Sequence, residues 1–128
     1  METPRDLKYS REHEWVRMDG ETATVGITDF AQDQLGDIVY LGLPDPGASV
    51  EQFGKIGEIE SVKSVSELFT PVGGEVSEVN QAAIDDPEIV NKEPYGAGWL
   101  IRLRIADPAQ FDNLLSAEEY EAHTTSEH

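Results

Sequence analysis

Apolar residues recur at every second position along short runs of this chain, and that period argues against a core built mainly of helices. Ala23, Val25 and Ile27 share one parity; Trp99, Ile101, Leu103 and Ile105 share another, with Arg102 and Arg104 facing the opposite way. Such runs are the pattern of half-buried β-strands. Ile38-Val39-Tyr40-Leu41 is β-branched and aromatic without alternation, which predicts a strand covered on both faces. Trp15-Val16-Arg17-Met18 ahead of Asp19-Gly20 predicts a strand entering a hairpin turn.

Between Ile27 and Asp37 the chain has room only for a short helix: Asp29-Phe30-Ala31-Gln32 has a capping-box pattern, and Gly36 can end the helix. That connection falls short of the roughly twelve residues of a parallel crossover, so antiparallel or orthogonal sheets are expected. Pro44, Pro46-Gly47, Gly73-Gly74, Pro87, Pro94 and Gly96 space the strands as in a small sandwich or barrel. The end of the chain changes character. Asp107-Pro108 is a helix start, and Phe111, Leu114 and Leu115 have helical spacing. Ser116 with Glu119 repeats the capping box, and Leu115 with Tyr120 can staple across it. A C-terminal helix broken near Ser116 is therefore expected to lie against the sheets. The 128 residues suit one compact domain, with a β core over about residues 8–106 and a helical segment over about 107–123.

The charge balance narrows the partners. Nine Lys and Arg stand against 26 Asp and Glu, a formal charge of −17 spread along the chain, with Glu118, Glu119, Glu121 and Glu127 enriching its end. Such a surface repels nucleic acid and anionic membranes, and suits basic patches on other proteins. Acidity that merely keeps a protein soluble is the plain alternative. With no cysteine, neither a disulfide, a thiolate nucleophile nor a Cys-ligated metal is available, and no His-based metal motif appears, so any redox chemistry must be borrowed. The N-terminus carries no targeting pattern and no segment has the length of a membrane span; a protein of the prokaryotic cytoplasm is expected.

The segment Ile56 to Pro71 has two β-compatible runs, ending near Ile59 and resuming near Leu68, around a mostly polar section whose only lysine is Lys63. Paired as a hairpin, they place Lys63 near the tip, where a large enzyme can reach its amine and an attached acyl group can swing on the flexible stem. On spacing alone, a lysine in a polar turn is most often merely solvated.

Glu60-Ser61-Val62-Lys63 followed by Ser64-Val65-Ser66-Glu67 is similar to the lipoylation segment of glycine cleavage H proteins. His13-Glu14-Trp15, Gly26-Ile27-Thr28-Asp29, Ala31-Gln32-Asp33, Leu35-Gly36-Asp37, Gly74-Glu75-Val76, Val79-Asn80, Pro94-Tyr95 and Gly98-Trp99 also resemble that family, in order, over nearly the whole chain. Several motifs at compatible spacing are far more specific than one lysine signature. A biotin carrier would usually show Met on both sides of the lysine, where Val62 and Ser64 stand here.

The resemblance implies a carrier and not an enzyme, with a mainly β, barrel-sandwich hybrid fold, short helices and a C-terminal helix. It implies lipoate in amide linkage to Lys63. Its partners would be the pyridoxal-phosphate-dependent P protein (glycine decarboxylase), which loads the aminomethyl group of glycine, and the T protein (aminomethyltransferase), which passes the one-carbon unit to tetrahydrofolate. The flavin-dependent L protein (dihydrolipoyl dehydrogenase) would reoxidise the dithiol, and a lipoate ligase or lipoyl transferase would attach the group. Glu60 and Gly74 match positions used for recognition by lipoate-attaching enzymes, with a solvated turn carboxylate and a glycine required by backbone geometry as plain alternatives. Glu14 matches a carboxylate lining the pocket for the loaded arm; the plain alternative is a strand-edge surface residue. His13 reads as a packing or hydrogen-bonding residue.

Three positions depart from the family pattern. Gln34 stands where many members have His, Glu67 replaces a common Asp, and Ser64 a common Ala. Gln34 can hydrogen-bond but cannot titrate, so no histidine role transfers to it. A lipoyl relay to 2-oxoacid dehydrogenases is the alternative within this fold, and an unmodified acidic binding domain an alternative outside it. A hydrolase using Asp85 and Asp86, or Glu118 and Glu119, lacks a supporting catalytic set, and both pairs suit solvated faces better.

Overall fold

The computed structural model describes residues 2–126; the extreme ends of the expected domain, and Glu127, lie outside them. In chain order the strands are β1 (Lys8–Tyr9), β2 (Glu14–Asp19), β3 (Thr22–Ile27), β4 (Ile38–Gly42), β5 (Ser49–Val50), β6 (Lys55–Ser61), β7 (Val65–Phe69), β8 (Gly74–Val79) and β9 (Ile101–Ile105). The helices are α1 (Asp29–Leu35), α2 (Gln81–Asp85), α3 (Glu88–Lys92) and α4 (Ala117–Ser126), with a 3-10 segment at Pro108–Asn113. One sheet has six strands in the order β1-β2-β3-β9-β8-β5, the other three in the order β4-β6-β7. Every pairing is antiparallel, and the sheets do not close into a barrel. This is the mainly β, two-sheet architecture with short helices and a C-terminal helix that the sequence pattern and the resemblance led us to expect. Val25, Ile101 and Leu103 from the larger sheet meet Ile38, Leu41, Ile59 and Leu68 from the smaller in one core. No helix among the described residues is long and apolar enough to cross a membrane.

Several local expectations change. β4 is not covered on both faces: Ile38 and Leu41 are buried while Val39 and Tyr40 are 55% and 50% exposed. A register shift against β6 between Ile38 and Tyr40 turns two residues outward together and lets two non-alternating positions share the inner face. β3 departs the other way, buried from Ala23 through Ile27. The segment around Pro94 and Tyr95 covers its outer side, because Trp15 Nε1 on the neighbouring strand donates to Pro94 O at 2.9 Å and Arg17 donates to Tyr95 O at 3.1 Å. The alternation of β9 does not extend back to Trp99. Leu100 enters the core there, and Trp99 lies under the Arg102 guanidinium at 4.0 Å.

The starts of α1 and α4 follow side-chain capping. α1 is capped one residue earlier than its pattern suggested, by Thr28, whose Oγ1 accepts from Ala31 N at 3.1 Å. Ser116 Oγ accepts from Glu119 N at 3.2 Å and Ser116 N donates to Glu119 Oε1 at 2.9 Å, the reciprocal box expected from sequence. The helical spacing before it produces the 3-10 segment instead of an α-helix. Leu115 and Tyr9 exchange backbone hydrogen bonds, and Tyr120 of α4 stacks on Tyr9 with ring centroids 4.7 Å apart, so the C-terminal helix lies against the β1 end of the large sheet.

Candidate functional site

The site begins with how β6 and β7 are joined. They pair as far as Glu60 with Val65, so the hairpin is tighter than the apolar runs alone implied. Ser61 closes it: Ser61 N donates to Ser64 O at 2.8 Å, and Ser61 Oγ accepts from Lys63 N at 3.3 Å and Ser64 N at 3.2 Å. Val62 N donates to Asp37 O at 3.0 Å, tying the turn to the entrance of β4. Lys63 stands exposed at the tip. Its stem lies across Gly36, where an added Cβ would come within 3.3 Å of Lys63 Cε. Gly36 is required by its φ of +77°, which ends α1.

Below the tip, α1 and the β6–β7 hairpin enclose a cavity of about 230 Å³ lined by Phe30, Ala31, Gln34, Ile59, Ser66, Glu67 and Glu14 among others. Glu14 is 2% exposed, not a surface group. Ser10 Oγ donates to Glu14 Oε1 at 2.5 Å, and Phe69 N donates to Oε2 at 3.3 Å. Burial pushes the Glu14 carboxyl up to about 8, against the Ser10 and Phe69 hydrogen bonds that pull it down, with a smaller upward push from Glu12. Burial thus favours the neutral acid over the carboxylate at this position.

Two long-range anchors, Asn91 and Tyr120, and one contact within a turn, from Ser10, hold the walls. Asn91 of α3 accepts from Ile38 N at 3.0 Å and donates to Gln32 Oε1 at 3.0 Å and Gly36 O at 2.9 Å, joining the end of α1 to β4. Tyr120 OH lies 2.6 Å from Thr28 Oγ1, the cap of α1, and 2.8 Å from His13 Nδ1. Ser10 holds Glu14. The reading of His13 as a hydrogen-bonding residue is borne out by the Tyr120 contact. The signal for Asn91 and Tyr120 was weak, since a lone polar side chain in a helix does not name its distant partner.

Glu60 shares the hairpin with Lys63 and is paired between Tyr40 and Val65. Glu67 lines the cavity and lies 3.6 Å from Lys55 Nζ. Gly74 is not brought to the lysine: it starts β8, in the other sheet, paired with Val50 and Ile105. A Cβ there would sit 2.0 Å from the carbonyl oxygen of Arg104, so strand spacing forbids a side chain. We expect Gly74→Ala to destabilise the protein by about 3 kcal/mol, the upper end of overpacking costs, measurable by urea unfolding. Wild-type stability together with wild-type lipoylation would remove both readings of Gly74.

Fold and site together define a mainly β protein of the carrier type, with one lysine held out on a hairpin beside a small pocket. A family model described as glycine cleavage H-protein matches residues 7–127. The chain is 52% identical over 127 residues to the glycine cleavage system H protein of Marinobacter nauticus, covering 98% of each. To that of Bacteroides fragilis it is 53% identical over 122 residues, covering 95% of this chain and 97% of the relative. A crystal structure of a glycine cleavage system H protein from Mycobacterium marinum matches with a TM-score of 0.85 at 38% identity, over 95% of this chain and 98% of that one. The chain belongs to the glycine cleavage H-protein family, and so to the carriers of that system and not to its enzymes.

Proposed function

We propose that this chain, as one carrier domain in the cytoplasm, bears lipoate in amide linkage on Lys63 and shuttles the aminomethyl group of glycine from the P protein to the T protein, then presents the reduced dithiol to the L protein. The observation that carries the reading is an exposed Lys63 on a hairpin whose β7 flank forms one wall of a pocket containing the buried Glu14. A lipoate ligase or lipoyl transferase is the partner that attaches the group, with Glu60 on the same hairpin and Gly74 as its proposed recognition residues. Neither nucleic acid nor a membrane is among the proposed partners.

The residues present fit a long acyl arm. The Lys63 amine is accessible, and Ser66 on the pocket wall is three residues along the hairpin, roughly 10 Å at strand spacing. Lipoate supplies the disulfide–dithiol chemistry that a cysteine-free chain lacks. The chain's own part is to orient, shelter and hold charge. Glu14 would accept a charge-assisted hydrogen bond from a protonated amine, and such a partner would favour its anion. Phe30, Ile59 and Leu68 exclude water beside it, and Gln34 adds a neutral hydrogen-bonding group.

Intact-mass measurement of protein from its native host, with peptide mapping of Lys63, tests the attachment. Glu14→Gln tests the pocket. After loading with glycine and P protein and removal of the enzyme, the variant is expected to stay fully lipoylated yet release ammonia about tenfold faster without T protein, as follows from losing one charge-assisted bond. Equal release rates would refute a protective role for Glu14.

A further inference from the structure

The pocket's carboxyl is itself held by Ser10. Ser10 is 2% exposed and lies in the turn between β1 and β2. The turn fixes it at both backbone ends: Ser10 N donates to Glu14 O at 2.9 Å and His13 N donates to Ser10 O at 3.3 Å. Glu14 N donates to Ser10 Oγ at 3.2 Å, which occupies an acceptor site of the hydroxyl and leaves its proton for Glu14 Oε1 at 2.5 Å. His13, between them, has a φ of +72°, a conformation that bulky L residues rarely adopt, so the turn keeps this geometry against a backbone cost.

We propose that Ser10 is a positioning residue for the arm pocket: its hydroxyl anchors the Glu14 carboxyl in the orientation that receives a cationic cargo. The inference rests on the loaded-arm reading of the pocket. A carboxylate offers about four lone-pair sites. Ser10 takes one on Oε1 and Phe69 N one on Oε2, so both oxygens are anchored while each keeps a site for the cargo amine. Ser10 and Phe69 lie outside this lining and border the neighbouring cavity; the polar groups that line the arm pocket with Glu14 are Glu12 and His13 from the same turn, Gln34 from α1, and Ser66 and Glu67 from β7. Glu12 opposes ionisation of Glu14, Glu67 is paired with Lys55, and the His13 Nδ1 is engaged by Tyr120. Ser10 is the strongest of the groups that draw Glu14 toward its anion.

The test uses lipoylated protein as wild type, Ser10→Ala, Ser10→Thr and Glu14→Gln, each checked by intact mass. Carbon NMR of the Glu14 carboxyl in the unloaded state is expected to show its titration about one pH unit higher in Ser10→Ala, the loss of one hydrogen bond to a charged group. Ser10→Thr, which keeps the hydroxyl, is expected to titrate as wild type. After loading, Ser10→Ala is expected to release ammonia several-fold faster at pH 7, and Ser10→Thr at the wild-type rate. An unshifted titration in Ser10→Ala overturns the proposal, as does a shifted titration with wild-type release while Glu14→Gln still releases faster. If Glu14→Gln itself releases at the wild-type rate, the pocket reading falls and takes the role of Ser10 with it, whatever the titration shows.

Discussion

Lys63→Arg is expected to fold as the wild type does and to support no glycine turnover at all. The side chain is exposed at the hairpin tip, and the hydrogen bonds closing the turn come from the Lys63 and Ser64 backbone N–H groups and Ser61, which the substitution leaves in place. An arginine stem can lie across Gly36 as the lysine stem does. A surface change of this kind stays within about 0.5 kcal/mol in stability. The chemical consequence is total, because a guanidinium stays protonated and cannot form the amide to an acyl carrier group. The measurement is glycine-dependent turnover with P, T and L proteins, alongside intact mass. Lys8, Lys55 and Lys92 remain in the variant, so lipoylation elsewhere would be visible as added mass. A variant that turns over glycine without added mass would sink the attachment reading.

The second large effect is a pH-dependent stability cost written into Glu14. Its carboxyl is raised from 4.5 to about 8 in the folded chain, chiefly by burial. Below about pH 4.5 both folded and unfolded states hold the proton, and Glu14 adds no pH dependence. Between there and about pH 8 the unfolded chain has released it while the folded chain has not, so each unit of pH favours unfolding. Above pH 8 both states are ionised and the penalty is constant, on the order of 4–5 kcal/mol. The overall charge of −17 adds its own repulsion as pH rises, so wild type must be compared with Glu14→Gln under identical conditions. The stability of Glu14→Gln relative to wild type is expected to climb from pH 4.5 to 8 and then level off. Parallel curves across that range would mean that Glu14 is not buried as a neutral acid. The cost has a functional counterpart, since a carboxylate poorly solvated by its surroundings is also one that a cationic cargo can engage strongly.

Local patterns carry most of the fold. The strand runs of β3 and β9, the Asp19-Gly20 hairpin, the Gly36 stop and the Ser116–Glu119 box are legible in the amino-acid sequence, because their physics acts within a few residues. The Lys63 motif is legible for the same reason: the hairpin and its tip are specified by consecutive residues. Non-local effects mislead. Val39 and Tyr40 resemble core residues, yet a register shift decided by the partner strand leaves them outside. Gly74 lies near Lys63 in sequence, but β7 runs away from the tip for five residues, roughly 16 Å, before the chain enters the other sheet.

By itself, then, the sequence determined a two-sheet β fold, its turns and caps, an exposed lysine on a hairpin, and the family to which these belong. The tertiary structure alone decided the state of Glu14. No neighbour in sequence reveals that it is buried, that Ser10 turns back on it across a strained His13, or that the backbone of Phe69 meets it from another sheet. The charge of a carboxyl depends on the water removed around it and, here, on a donor, Phe69 N, brought from far along the chain, and both exist only once the sheets and α1 have come together.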